Sequence, residues 1–239
     1  MLGLGHGVHT DTVSLAEIFH NIYSLDFNAT DGEHATLHTV AGDLTIATKG
    51  TISMWVIMHS TTGSQNFLRA TIDANNQLFI FWHNSSDEIR FNLKAGGTLN
   101  SIAYDASDFD HTAWYHLAMT WDKESNEIHA YVNGSEVGEG SAYGGTFTGT
   151  LSQIFLGQNA SDGAYFDGQM DEISIWTDVM DVAELYNNKV HRNVEFSGLD
   201  QSKMIAYYRM EEGTGTTIYD ESTYGNNGTL VNSPTWTKY

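Results

Sequence analysis

The stretch WYHLAMTWDKESNEIHAYVNG, residues 114–134, decides the fold. Its first part, 114–121, alternates between two sets of side chains that both carry apolar bulk, as in a strand covered on both faces. The sets are Tyr115, Leu117, Met119 and Trp121, and Trp114, His116, Ala118 and Thr120. A second run, 127–132, follows a polar stretch, and Asn133-Gly134 marks the next turn. We predict an antiparallel hairpin of 114–121 with 127–132, with 114–121 as a central strand of a sandwich.

Outward from this hairpin, short apolar or alternating runs recur from Tyr23 to about Trp176, separated by Gly, Asn, Asp and Ser clusters. Ile89, Phe91 and Leu93 alternate with polar residues, which predicts one buried and one wet face. A further strand is expected at 204–210. The pattern is that of an all-β protein.

Two short helices interrupt the strand pattern. In segment 13–19, Ser14 and Glu17 form a capping box, which predicts a helix of about two turns near the N-terminus. A second helix is predicted over 181–190, with Asp181 as its N-cap.

Composition limits the partners. The 239 residues contain 30 acidic and 10 basic side chains, and the net charge of -20 repels nucleic acid and anionic membrane surfaces. The sequence contains no run of ~18 apolar residues, so a membrane-spanning helix is not expected. The N-terminus lacks the features of a signal peptide. The absence of cysteine excludes disulfides, thiolate zinc sites and a cysteine nucleophile.

Several blocks in order resemble the laminin-G-like branch of the concanavalin A-like lectin/glucanase superfamily, over about residues 23–190. They are SLDF at 24–27, TISMWV at 51–56, WYHLA with TWD at 114–122, YVNG at 131–134, and IFLG with FDGQMDEI at 154–157 and 166–173. The resemblance implies an antiparallel jelly-roll β-sandwich, and carbohydrate binding as its most plausible activity.

The C-terminal block departs from the family order. Residues 207–217, 220–222 and 227–230 resemble a block that usually stands at the start of such domains. About 35 residues cannot bury a sandwich core of their own. We therefore expect an N-terminal arm at 1–22 and one sandwich at 23–239, completed by 204–239. Pairing within the chain, pairing with a neighbouring subunit in a homo-oligomer, and a vestigial second repeat stay open.

Catalysis is not expected. Glycosidases of this superfamily hold paired carboxylates on one strand face, where a spacing of two residues keeps both on the same side. Asp171 and Glu172 are adjacent and should point to opposite faces. We therefore predict a protein that is not an enzyme.

Calcium is the expected metal, because acidic turns offer the oxygen ligands that Ca²⁺ prefers. By resemblance Asp171 and Asp220 are the first candidates, followed by Asn226 and Asp31. A structural ion and a simple hydrogen-bonding role for Asp171 are equal alternatives.

A sugar platform requires exposed aromatic rings beside polar groups. The candidates, taken as loop residues, are Trp82, Tyr104, Tyr143 and Tyr165, with Asn159 and Asp162. Packing on the sandwich is the alternative for each aromatic ring. Trp55, Trp114, Trp121 and Trp176 are assigned to the core.

The leading functional hypothesis is a non-catalytic subunit of a phage virion, either a capsid decoration or a tail-associated adhesin with carbohydrate-binding capacity. It rests on the resemblance of acidic, cysteine-free laminin-G-like chains to subunits of marine phage particles. Its partners would be glycans or other virion proteins. A free bacterial lectin at the cell surface or outside the cell is the alternative, and a glycoside hydrolase is the third reading.

Overall fold

The computed structural model describes residues 22–44, 46, 48–187 and 199–238. The helix predicted at 13–19 lies outside these residues. The regular structure of the described part comprises sixteen strands, one short α-helix and three 3₁₀-helices, Ala29–Asp31, His38–Gly42 and Gln201–Lys203. Every strand pair is antiparallel. The predicted all-β antiparallel sandwich is confirmed.

The strands are β1 Tyr23–Phe27, β2 His34–Thr36, β3 Lys49–Met58, β4 Gln65–Asp73, β5 Asn76–His83, β6 Glu88–Ala95, β7 Thr98–Asp105, β8 Tyr115–Asp122, β9 Glu127–Val132, β10 Ser135–Ala142, β11 Gln153–Leu156, β12 Gly168–Trp176, β13 Met204–Tyr208, β14 Thr217–Ile218, β15 Gly228–Val231 and β16 Thr235–Lys238. Helix α1 is Val182–Asn187.

Two sheets form the sandwich. The first sheet has the order β10-β9-β8-β3-β12-β1-β16, with β13 also pairing β12, and the second has the order β14-β15-β2-β11-β4-β5-β6-β7. The inner faces bury one continuous apolar core, in which alternate residues such as Met54, Leu117, Ile80 and Phe91 are fully inaccessible. Burial of this surface at ~25 cal/mol per Å² is the main driving force for the fold.

The predicted hairpin is present, and β8 lies between β3 and β9 as a central strand. Asn133 and Gly134 have φ angles of 51° and 74°, the left-handed conformation of a two-residue hairpin turn. A Cβ on Gly134 would lie 2.7 Å from Cδ1 of Tyr186, so glycine is also required by close packing.

Helix α1 covers part of the outer face of the first sheet. Asp181 Oδ1 accepts the N–H of Ala183 at 2.9 Å, which confirms its predicted role as N-cap. The helix and the chain before it pack a second, smaller apolar cluster on this face. Its members are Ala118, Trp176, Met180, Val182, Leu185, Met204 and Tyr207. Residues 188–190 of the predicted helix lie outside the described chain.

Two burial predictions are wrong. Trp114 is half-buried and is not part of the core, because β8 begins only at Tyr115 and leaves Trp114 outside the ladder. Asn92, expected on a wet face, is 3% exposed because it lies between Phe79 and Ser101 in the neighbouring strands. Trp55, Trp121 and Trp176 are buried as predicted.

The C-terminal segment contributes strands to both sheets of its own chain. β13 pairs β12, β16 pairs β1, and β15 joins the second sheet beside β2. Tyr208 Oη donates to the carbonyl of Asn226 at 2.5 Å, and Asn226 Nδ2 donates to the carbonyl of Ile205 at 3.0 Å. The segment is therefore bound by core packing as well as by strand pairing.

Deleting residues 201–239 should give an insoluble or molten protein, because the edges of β12, β1 and β2 and the core around Tyr208 would be opened to water. Near-ultraviolet circular dichroism and a thermal melt measure the loss. Replacing only the exposed Tyr219 by alanine should leave the melting temperature unchanged. A soluble, monomeric 1–200 fragment with the full-length melting temperature would contradict this account.

Candidate ligand-binding site

The outer face of the second sheet carries a line of aromatic and basic side chains. Because alternate residues of β2, β11, β4 and β5 enter the core, the residues between them face outward. We call the following set the aromatic row: His34, Phe155, Arg69, Phe79, Phe81 and His83. Neighbouring strands place Phe155 opposite Arg69, and Arg69 opposite Phe79.

The members of the aromatic row are in contact. The ring centroids of Phe79 and Phe81 are 5.5 Å apart, and those of Phe81 and His83 are 5.8 Å apart. At the other end His34 lies 6.4 Å from Phe155 in an edge arrangement. These spacings are those of favourable aromatic pairs, so the contacts stabilise the arrangement of the rings.

Arg69 is the central polar member of the row. Its Cζ lies 4.0 Å from the ring centroid of Phe79, a cation–π contact. Its Nε donates to Asn66 Oδ1 at 3.3 Å, and its Nη1 donates to Gln77 Oε1 at 3.0 Å. Burial lowers the pKa of Arg69 to about 10, so the side chain stays positively charged at neutral pH.

The loop between β11 and β12 extends this face. The N–H of Asn66 donates to the carbonyl of Ala164 at 2.9 Å, which fixes the loop to β4. Tyr165, half-buried, donates a short hydrogen bond from Oη to Asp162, which raises the pKa of the tyrosine. Its ring centroid is 6.1 Å from that of His34. Three residues predicted for ligand binding, Asn159, Asp162 and Tyr165, thus share one loop beside the aromatic row.

The other three predicted aromatic ligand residues are not exposed loop residues: Trp82 and Tyr104 lie on strands, and Tyr143 lies on a loop but is buried. Trp82 points inward from β5 and is 1% exposed, with Nε1 donating to the carbonyl of Thr61. Tyr143 is fully buried and donates from Oη to the carbonyl of Ile46 at 2.8 Å, and burial raises its pKa. Tyr104 is half-buried on β7 and packs against the core. The prediction that Trp82 and Tyr143 are exposed platforms is wrong, because strand parity turns Trp82 inward and the Tyr143 hydroxyl finds a buried acceptor.

The predicted calcium ligands do not form a cation site. Asp220 accepts hydrogen bonds from the backbone of Tyr207, Ser222 and Asn226, which accounts for both of its oxygens as structural acceptors. Asp31 lies in the turn after β1 and accepts from the Asn28 amide at 2.9 Å. Within the described ranges no group of three His, Cys, Asp or Glu side chains could hold a metal ion. No cation site is thus evident at these residues, and the expected Ca²⁺ stays a prediction.

Asp171 and Glu172 lie in a bulge of β12, between its pairing with β1 and its pairing with β13. Glu172 has a φ of 50°, and both side chains are buried. Glu172 accepts a short hydrogen bond from Tyr207 Oη, while Asp171 Oδ1 accepts the N–H of Glu172 at 2.9 Å. Burial raises the pKa of Glu172 to about 7. A perturbed pKa marks functional candidates, but these carboxylates are enclosed by protein, as structural groups are.

Glu172 should make stability depend on pH. Its folded-state pKa of about 7 is above the ordinary 4.5, so between these values the folded state binds more protons than the unfolded chain. The free energy of unfolding therefore falls as pH rises toward and through 7, by roughly 3 kcal/mol in all. Chemical denaturation of the wild type and of Glu172→Gln at about pH 5 and about pH 8 measures this loss as the difference between the two proteins. Buried His116, whose pKa burial lowers to about 3, changes stability in the opposite direction in both of them.

The variant Glu172→Gln should remove most of that pH dependence, because its side chain stays neutral at both pH values. Replacing the exposed helix residue Glu184 by glutamine is the matched control. An unchanged pH dependence in Glu172→Gln, with the control behaving as the wild type, would show that Glu172 does not titrate in this range.

A competing surface lies on the first sheet. A groove of about 250 Å³ is lined by Thr120, Asp122, Ser125, Glu127, His129, Tyr131 and Val179. Glu127 and Glu136 flank His129, with Nδ1 of the histidine 2.6 Å from Glu136 Oε1. This groove is acidic and contains one tyrosine. It lacks the aligned aromatic rings of the second sheet.

No helix in the described part of the chain is long and apolar enough to cross a membrane.

Comparisons with known proteins agree with this architecture. A laminin G family model, described as the Concanavalin A-like lectin/glucanases superfamily, matches residues 29–185. C-reactive protein of Cavia porcellus is 27% identical over 141 residues, or 56% of this chain. The chain matches about 60% of the length of that curated relative.

Two solved structures share the fold. A protein of Bacteroides ovatus, described as a candidate carbohydrate binding protein, has a TM-score of 0.64 at 16% identity, covering 92% of this chain and 60% of that one. The CBM40 of Ruminococcus gnavus IT-sialidase, bound to α2,6 sialyllactose, has a TM-score of 0.54 at 16% identity, covering 69% and 95%. At these identities the similarity shows the fold alone.

Proposed function

The chain belongs to the laminin-G-type family of the Concanavalin A-like lectin/glucanases superfamily, and from this premise we propose that it is a non-catalytic carbohydrate-binding protein. Its ligand lies on the outer face of the second sheet, across the aromatic row and the loop that contains Tyr165. The observation that carries the proposal is this continuous array of rings with amide and guanidinium groups beside them.

The array has the chemistry that sugars require. A pyranose ring presents apolar C–H faces to aromatic rings and hydroxyls to polar side chains. Phe81 and Tyr165 are half-buried rings with accessible surface, whereas the ring of Phe79 is covered by Arg69. Gln77 and Asn66 add amide groups within the same face. Because most of these groups project from paired strands, they are held in place before ligand binding.

A binding role fits this face better than hydrolysis. Hydrolysis of a glycosidic bond by the usual mechanism requires two accessible carboxyl groups ~5–9.5 Å apart. On β5 and β6 the outward carboxylate is Glu88, which accepts hydrogen bonds from Arg90 Nε and Ser86 Oγ at 2.8 Å. Asp171 and Glu172, the adjacent pair found in the sequence, are buried in the other sheet.

Replacing Phe81 or Tyr165 by alanine should lower glycan affinity about tenfold each, since the loss of one aromatic contact costs ~1–1.5 kcal/mol. Isothermal titration calorimetry with an oligosaccharide selected on a glycan array measures the change.

Tyr224→Ala is the matched control, because Tyr224 is an exposed tyrosine outside the aromatic row. Tyr131→Ala tests the acidic groove. Full affinity in Phe81→Ala and Tyr165→Ala, with a loss in Tyr131→Ala, would move the site to the first sheet. Absence of binding to any glycan on the array would overturn the proposed function.

The virion placement inferred from the sequence stays a prediction, as does the alternative of a free lectin outside the cell or at its surface. Mass spectrometry of purified particles from the source would test the first placement. The proposed sugar contacts are the same in either case.

A further inference from the structure

We infer that Arg69 is the point at which the ligand's negative charge is bound, so that the preferred glycans carry a carboxylate or a sulfate ester. This inference rests on the proposed function, since it names the class of sugar that the same face selects. Its grounds are the hydrogen bonds and neighbours of Arg69, together with an unused acceptor on the adjacent strand.

Arg69 forms no ion pair with a carboxylate of the described residues, although the chain is rich in Asp and Glu. The chain has 30 acidic residues for 10 basic ones, and three of the described lysines and arginines form ion pairs with them. Lys49 lies 2.6 Å from Asp178, Arg90 lies 2.8 Å from Glu88, and Arg209 lies 3.8 Å from Glu221. No carboxylate of the described residues forms an ion pair with Arg69, whose hydrogen bonds go to two neutral amide oxygens.

A half-buried cation without a counter-ion is costly, because burial removes hydration that neutral oxygens replace only in part. The lowered pKa of Arg69 reflects this burial. Binding an anion from solution would supply the missing charge. Arg69, without a carboxylate partner, is therefore available to bind an anionic ligand.

The guanidinium is also held in a fixed orientation. Asn66 and Gln77 fix two of its five N–H groups, and Phe79 lies under its plane. Three N–H groups have no partner in the part of the chain that the structure describes. Free donors on an oriented, planar guanidinium bind the oxygens of a carboxylate or sulfate with a directionality that a lysine ammonium lacks.

Asn92 gives a second, independent indication. It lies on β6 as the strand partner of Phe79, it is 3% exposed, and its Oδ1 has no hydrogen-bond partner among the described residues. A buried acceptor of this kind requires an O–H or N–H donor. Sulfate and chloride ions offer none, whereas an acidic sugar offers both an anion and hydroxyl donors.

The net charge of the protein determines the salt concentration at which a preference for anionic ligands can be measured. A net charge of -20 repels anionic glycans at long range, but the Debye length is only about 8 Å at physiological ionic strength. The attraction to Arg69 acts at contact distance and is less screened. We therefore expect the preference for anionic ligands at ~0.15 M salt.

The test compares matched ligand pairs: a galacturonate oligomer with its methyl ester, and a sulfated galactan oligomer with its desulfated form. Wild-type protein should bind at least one charged member about tenfold more tightly than its neutral partner, and the pair that responds distinguishes carboxylate from sulfate. Arg69→Gln should bring that ratio to about one while the neutral ligand still binds. Arg69→Lys should restore only part of it.

Arg90→Gln is the matched control, because Arg90 is already paired with Glu88 and should leave the ratio unchanged. Thermal melts establish that each variant is folded. Equal affinity of wild-type protein for both members of each pair, or a ratio that survives in folded Arg69→Gln, would overturn this inference alone. Failure of all four oligomers to bind, with another glycan on the array still bound, would also overturn this inference alone. Failure of every glycan on the array would overturn the proposed function and this inference with it.

Discussion

The alternation of side chains along paired strands is the constraint on which this structure depends. Once Leu68 and Ala70 of β4 and Leu78 and Ile80 of β5 enter the core, the residues between them must face outward. Arg69, Phe79 and Phe81 thus share one surface without any loop to position them. A shift of one residue in register would exchange this surface with the core, so the burial that stabilises the sandwich also fixes the candidate site.

The sequence predicts the fold well because the deciding patterns are local. The β8–β9 hairpin follows from alternation at 114–121 and the polar stretch after it, and the β9–β10 turn follows from Asn133-Gly134. The N-cap at Asp181 follows from one acidic residue before an apolar stripe. The outer face of the second sheet was not predicted, because residues 78–82 form a continuous apolar run. Such a run indicates a strand and does not tell which of its rings face the core.

Long-range contacts account for the remaining differences. Trp82 and Tyr143 are buried because their polar atoms find the carbonyls of Thr61 and Ile46, which no sequence spacing reveals. Arg69 becomes a candidate anion-binding residue only once the structure shows that its hydrogen-bond partners, Asn66 and Gln77, are neutral. In the sequence it is one cation in an acidic chain. The signal that could have identified it is the pairing of LRAT at 68–71 with LFIF at 78–81, which aligns Arg69 with Phe79.

The central claim is that glycans bind on the outer face of the second sheet. The most direct measurement is NMR chemical-shift mapping of the ¹⁵N-labelled protein during titration with a binding oligosaccharide. The account predicts that the perturbed amides cluster on β4, β5 and β6 and in the loop at 157–167. Perturbations centred instead on Asp122, Glu127 and Tyr131 of the first sheet, with β4 to β6 unchanged, would contradict it.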